Sequence, residues 1–176
     1  MNSTLDNRIL RILLSLLLWG VIWLTTVGAI TALICVNTPP ALALDYNREI
    51  LTNTDFSGRD LTDSSFTKAN LRNSNLSNTN LQRVSFFAAN LESTNLEGAD
   101  LTNATLDSAR IIKTNLTNAV LEGAFAANAN FDGAIIDGAD FTDVLLRQDV
   151  QDKLCKVAKG TNPKTGRETR KTLLCH

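Results

Sequence analysis

Residues 86–101 read Phe86-Phe87-Ala88-Ala89-Asn90-Leu91-Glu92-Ser93-Thr94-Asn95-Leu96-Glu97-Gly98-Ala99-Asp100-Leu101. Every fifth position is Phe or Leu, and two residues before each of the three leucines stands Ala or Thr. The frame extends without a slip from Leu51 to Leu146, and 19 of its 20 centres are Leu, Phe or Ile, with Ala126 the exception. The residue two before each centre is Ala, Ser, Thr or Val in 18 of 20 units, Glu49 and Arg59 being the departures. A helix repeats every 3.6 residues and a strand every two, so neither alone generates this pattern.

The unit itself suggests a geometry. With three residues extended, the small residue and the bulky centre face one side and the intervening residue faces the other. Those intervening residues are mostly polar, among them Asp55, Asp60, Asn70, Asn75, Asn90, Asp100 and Asn115. The other two residues turn the chain. The second of them is Asn, Gly or Asp in 13 of 19 units, types that tolerate the positive φ of a type II turn. One short side cannot bury itself, so successive coils stack and pair their backbones at about 4.8 Å.

Units such as Ala69-Asn70-Leu71-Arg72-Asn73, Ala99-Asp100-Leu101-Thr102-Asn103 and Ala139-Asp140-Phe141-Thr142-Asp143 match the A-[DN]-[LF]-x-x consensus, and in this the chain resembles the pentapeptide-repeat family. The resemblance implies an all-β solenoid, a right-handed quadrilateral β-helix with four units per turn. Twenty units would then make about five coils, a rod roughly 24 Å long at the strand spacing.

Under that four-sided arrangement residues 20 apart share a wall. Phe125, beside the anomalous Ala126, and Leu145 then become neighbours on one outer wall, a possible apolar docking patch. Val120 and Ile135 add outward apolar side chains on the last coils. The preferred expectation is that the C-terminal segment covers these residues; a one-residue bulge turning Phe125 inward would also remove the patch.

After Leu146 the period changes. Val150, Leu154 and Val157 stand at i, i+4 and i+7, Gly160 reads as the close of that helix, and Asn162-Pro163 as a turn. Thr165 and Glu168 have capping-box spacing for a second short helix toward Leu174. Residues 147–176 are thus expected to form a short α-helical C-terminal cap over the repeats of 44–146, because an open solenoid needs its last layer covered.

Residues 1–43 read as a leader. Arg8 and Arg11 precede an apolar run over 12–36, and Ala41-Leu42-Ala43 supplies a small-x-small cleavage site. Cleavage after Ala43 is expected; a membrane anchor retained over residues 12–36 is the competing reading. Cleavage leaves Cys155 and Cys175 in an oxidising compartment, where an even pair reads as a disulfide, two unrelated buried thiols being the alternative. The leader, the Leu44-Asp45-Tyr46-Asn47-Arg48 junction, the acidic repeats and the two-cysteine tail with Thr161-Asn162-Pro163 resemble the thylakoid-lumen pentapeptide proteins of cyanobacteria and chloroplasts. That resemblance implies the thylakoid lumen, with a periplasm the alternative destination.

Residues 44–146 carry 7 Lys or Arg against 14 Asp or Glu, whereas 147–176 carry 8 against 3, so the basic tail is expected to lie partly against the acidic body. No nucleic-acid-binding stripe is present. The sole histidine is His176, which with two cysteines falls short of a zinc site and leaves no nucleophile with a base, so no catalytic, cofactor-binding or metal-binding residue is assigned. The expected function is a non-enzymatic scaffold for an unidentified protein partner, with contact to the membrane only through an uncleaved leader. Two alternatives stand beside it: a redox-responsive regulator acting through Cys155 and Cys175, and an acidic DNA mimic binding a topoisomerase, which the export leader disfavours.

Overall fold

The computed structural model describes residues 43–176. The leader read over 1–43, including the candidate anchor at 12–36, lies outside the described residues except for Ala43. The five-residue periodicity becomes a coil because each unit makes one internal bond and otherwise bonds to the coils above and below. In the unit around Leu71, Ser74 N–H donates to Leu71 C=O at 3.0 Å and closes the corner. Asn70 N–H donates down to Glu49 C=O at 2.9 Å, and Leu71 N–H donates up to Asn90 C=O at 2.8 Å. Every bridge from Asp45↔Ser65 to Phe125↔Leu145 joins residues 20 apart in parallel, so four units complete one turn. Each wall contributes a single bridged residue per coil rather than a long strand, because the corner follows at once.

The corners explain the Asn, Gly and Asp preference. From Arg48 to Asp143 the second corner residue has φ between +53° and +70°, except at Asn128. That is the left-handed region in which a Cβ is crowded, and short polar side chains tolerate it best. At Asn128 the backbone N–H is instead held by Asp107 Oδ1 at 3.0 Å, and the Asn128 side-chain amide bonds to the same oxygen at 2.9 Å.

The centres fill the axis, and from Phe66 to Leu121 each is at most 1% exposed. Burying one such side chain contributes about 1.5–3 kcal/mol. On one column Tyr46, Phe66 and Phe86 stack at centroid spacings of 4.7 and 5.2 Å. Higher in this column Ala126 stays inside, 0% exposed, and Phe125 keeps its outward rung with its N–H on Ala104 C=O, so no bulge turns Phe125 inward. The small column is buried from Ser64 to Ala139, and the hydroxyls of Ser74, Thr79, Thr94 and Thr114 donate to the coil below, as Thr94 does to Leu71 C=O at 2.8 Å and Thr114 to Leu91 C=O at 2.7 Å. Glu49 and Arg59, the two large residues of that column, both stand in the first coil and are exposed, with the Arg59 guanidinium 5.3 Å from the Phe56 ring centroid.

Beyond the repeats α1 spans Gln148–Cys155 and α2 spans Thr169–Thr172. Several details of the expected cap differ. Helix α1 buries Val150 and Leu154 but ends at Cys155, so Val157 falls off its face, 54% exposed, and Ala158 takes the buried place. Gly160 lies five residues past that end and does not close it. Its φ of +85° and a position where a Cβ would sit 2.8 Å from Gly138 N show a close backbone approach instead. The capping box also fails to form, because Gly166, at φ +70°, redirects the chain between Thr165 and Glu168, and Glu168 itself becomes the residue before α2 with no side-chain cap.

Candidate functional site

The wall of Ser65, Ser85 and Thr105 ends in Phe125 and Leu145, bridged to each other and 43% and 54% exposed. The structure therefore brings the two patch residues together and leaves them uncovered, contrary to the expectation that the C-terminal segment lies over them. That segment crosses a different wall. It buries Val120, 6% exposed, but not Ile135, 50% exposed.

The covered wall is organised by Asn162, which is 0% exposed. Its Nδ2 donates to Gly138 C=O at 2.9 Å and to Asn118 and Ala119 C=O at 3.1 Å each, while its Oδ1 accepts from Lys164 N–H at 2.9 Å and Thr165 N–H at 3.1 Å. One amide thus folds the 161–168 loop and fastens it to two coils. Lys164 Nζ reaches Gly98 C=O at 2.6 Å, a third coil. Arg167 pairs with Glu122 at 2.7 Å and with the enclosed Asp140 at 3.1 Å. Burial pushes the Asp140 carboxyl up, but bonds from Thr142 and Thr165 and the Arg167 charge outweigh it and hold the group below the usual carboxylate range. Lys153–Asp132 and Lys159–Asp137 add pairs at 3.4 and 3.2 Å, so the basic tail meets the acidic body at four points.

Cys155 and Cys175 lie together at the end of α1 and beyond α2, with Sγ atoms 2.02 Å apart and Cα atoms 5.5 Å apart. Both are partly buried against the core. The described residues include no group of three or more His, Cys, Asp or Glu placed to hold a metal ion, and no helix long and apolar enough to cross a membrane.

Two family models cover the coils, the pentapeptide repeat region at residues 45–116 and pentapeptide repeats in eight copies at 112–148. A solved pentapeptide repeat protein from the Arabidopsis thaliana thylakoid lumen is 46% identical, with a TM-score of 0.73, over 74% of this chain and 91% of that one. The chain belongs to the pentapeptide-repeat family. Members form right-handed quadrilateral β-helices, which is the four-sided coil built above. The curated thylakoid lumenal 15 kDa protein 1 of the Arabidopsis chloroplast is 63% identical over 38 residues, 22% of this chain, and the match spans 17% of that protein's length. A pentapeptide repeat protein of Nostoc is 26% identical over 60% of this chain and 86% of its own, with a TM-score of 0.49.

Proposed function

We propose that this pentapeptide-repeat protein is a non-enzymatic scaffold of the thylakoid lumen: a β-helix of five coils, closed by the helical segment 147–176, that docks a protein partner. The lumenal part rests on the 46% identity spread over 91% of the lumenal Arabidopsis protein. The docking part rests on one observation, the Phe125–Leu145 pair standing exposed on a wall whose other rungs, Asp45, Ser65, Ser85 and Thr105, are all polar. A polar coil surface keeps the rod soluble, and an uncovered apolar pair within it marks a contact surface. The partner is a protein that presents a complementary apolar side chain. Intact mass from fractionated thylakoids tests the compartment: a lumenal species starting at Leu44 is expected, and a full-length membrane-bound species overturns it. Cross-linking from position 145 tests the docking, which is expected to capture a lumenal protein with the native chain and to lose it with Phe125→Ser.

A second reading is favoured by Cys155 and Cys175, which are joined yet only partly buried. As a redox-responsive regulator, the cap would loosen when a thiol carrier reduced the pair. Its test is the reduction potential; a value well below that of the compartment's dithiol carriers removes it.

A further inference from the structure

The upper edge of the last coil is occupied on one stretch and open on another. At Gly138 and Phe141 the C-terminal segment supplies partners: Gly138 N–H donates to Lys159 C=O at 2.8 Å, and Phe141 N–H to Thr172 Oγ1 at 3.1 Å. Along 129–136 no such partner exists among the described residues. One coil lower the equivalent groups all donate upward, Ile111 N–H to Asn130 C=O, Lys113 N–H to Asp132 C=O and Leu116 N–H to Ile135 C=O. The N–H groups of Phe131, Gly133 and Ile136, which continue this series, meet no acceptor among the described residues, although Phe131 and Ile136 are only 5% and 1% exposed. Backbone donors at such positions are nearly always paired. Across from Phe131 and Gly133, Val150, Leu154 and Val157 form the other bank of a cleft of about 330 Å³.

We propose that this cleft binds an extended peptide segment of a partner protein, added as a parallel strand to the open edge of Ala129–Ala134. The coils themselves specify the pairing. Asn130 donates to Ala109 C=O and accepts from Ile111 N–H, so the peptide residue above Asn130 donates to Ala129 C=O and accepts from Phe131 N–H. The residue before it lies over Ala129 and must be small; the residue after it lies over Phe131 against Leu154 and must be apolar. Of the charged lining residues, Lys153 pairs with Asp132 at 3.4 Å and Arg147 with Asp149 at 3.0 Å, so the pairing is specified by backbone and side-chain size rather than by charge. A second copy of the chain cannot stack a whole coil here, because Val150 and Leu154 already seat α1 over the core at this end. The cleft therefore admits one strand rather than another rod.

This proposal rests on the scaffold reading but uses a different surface from Phe125 and Leu145. The full chain in detergent micelles, titrated with the peptide Asp-Ala-Asn-Leu-Ser-Gly, tests it by amide hydrogen exchange and by fluorescence anisotropy. Exchange at Phe131 and Gly133 is expected to slow at least about ten-fold on saturation. Val157→Asp is expected to weaken binding about ten-fold with an unchanged Tm, since the carboxylate enters a bank otherwise formed by Val150 and Leu154, at a position already 54% exposed in the free protein. Phe125→Ser should leave peptide binding intact, so its effect on partner capture is read separately. The proposal is overturned if the peptide binds without slowing these amides, or if Val157→Asp binds as well as the native chain. It also falls if the free protein already protects these amides and loses that protection on dilution or on removal of residues 1–42, since a second copy or the chain's own leader would then be the occupant.

Discussion

Replacing Asn162 with Ala removes two donated and two accepted hydrogen-bonding protons from a fully buried side chain. Ala119 C=O keeps a second donor in Asp140 N–H, but Gly138 and Asn118 C=O lose the one donor that the described residues give them. At about 1 kcal/mol net per hydrogen bond, plus the cost of stranded carbonyls, the loss comes to about 3–4 kcal/mol. For a domain of this size that is a fall in Tm of roughly 10 °C. Urea unfolding followed by far-UV circular dichroism measures it. Asn162→Asp sharpens the test because it keeps the shape and the two accepted bonds while directing a carboxylate oxygen at carbonyl oxygens; it should destabilise at least as much as Asn162→Ala. If Asn162→Asp matches the native chain, or Asn162→Ala costs under about 1 kcal/mol, the amide is not what fastens the loop.

Asp140 gives a pH signature with a definite sign. Its folded-state pKa is depressed below the ordinary value of 3.8, so its stabilisation is present above that value and is lost as pH falls through the lower folded one. Asp140→Asn should therefore be less stable than the native chain at pH 7, and the two urea midpoints should converge as pH falls below the ordinary carboxylate value; a constant gap would show that the charge plays no part. At the other end of the rod, replacing both Glu49 and Arg59 with Ala should allow end-to-end association, visible as concentration-dependent sedimentation, because inward charges on an edge coil block added pairing. A persistently monomeric double variant would show that the aromatic end layer suffices. Thr169 carries a buried hydroxyl without a partner among the described residues, so Thr169→Val, which keeps the shape, should raise stability by up to about 1 kcal/mol in the same urea assay. A loss of stability there would reveal a bond to a bound water.

The coils were legible because their determinants are local. A bulky centre, a small partner and a corner residue that tolerates positive φ recur within five residues, and each of those choices is written in side-chain type. What organises the C-terminal segment is of another kind. Asn162 was read as half of a turn dipeptide, yet its function is to bond carbonyls of Asn118, Ala119 and Gly138, and backbone acceptors have no signature in sequence. Gly160 was read as a helix stop, the commonest use of such a glycine, whereas here it permits contact with Gly138. Thr165 and Glu168 have the right spacing for a capping box, but spacing cannot register a left-handed Gly166 between them. Phe125 was correctly placed beside Leu145 by the 20-residue period; that the tail passes along another wall depended on where Asn162 docks, and so was not readable.

The two ends of the rod are protected by different physics, and the difference bears on function. The first coil closes itself with side chains: Tyr46 stacks on Phe66, Phe56 packs edge-on against both, and Arg59 lies over Phe56. Its exposed charges, Glu49 and Arg59, oppose another coil. The last coil is closed by a separate segment, whose exposed ion pairs contribute little individually. Its attachment is concentrated in Asn162 and the buried faces of Val150, Leu154 and Leu173, while the Cys155–Cys175 link ties the segment to itself. A cover fastened at a few points can leave part of the edge beneath it free, and 129–136 is the part left free. An end that repels added coils and an end that exposes one short strand beside an apolar bank together favour capture of a single extended segment over polymerisation of the rod.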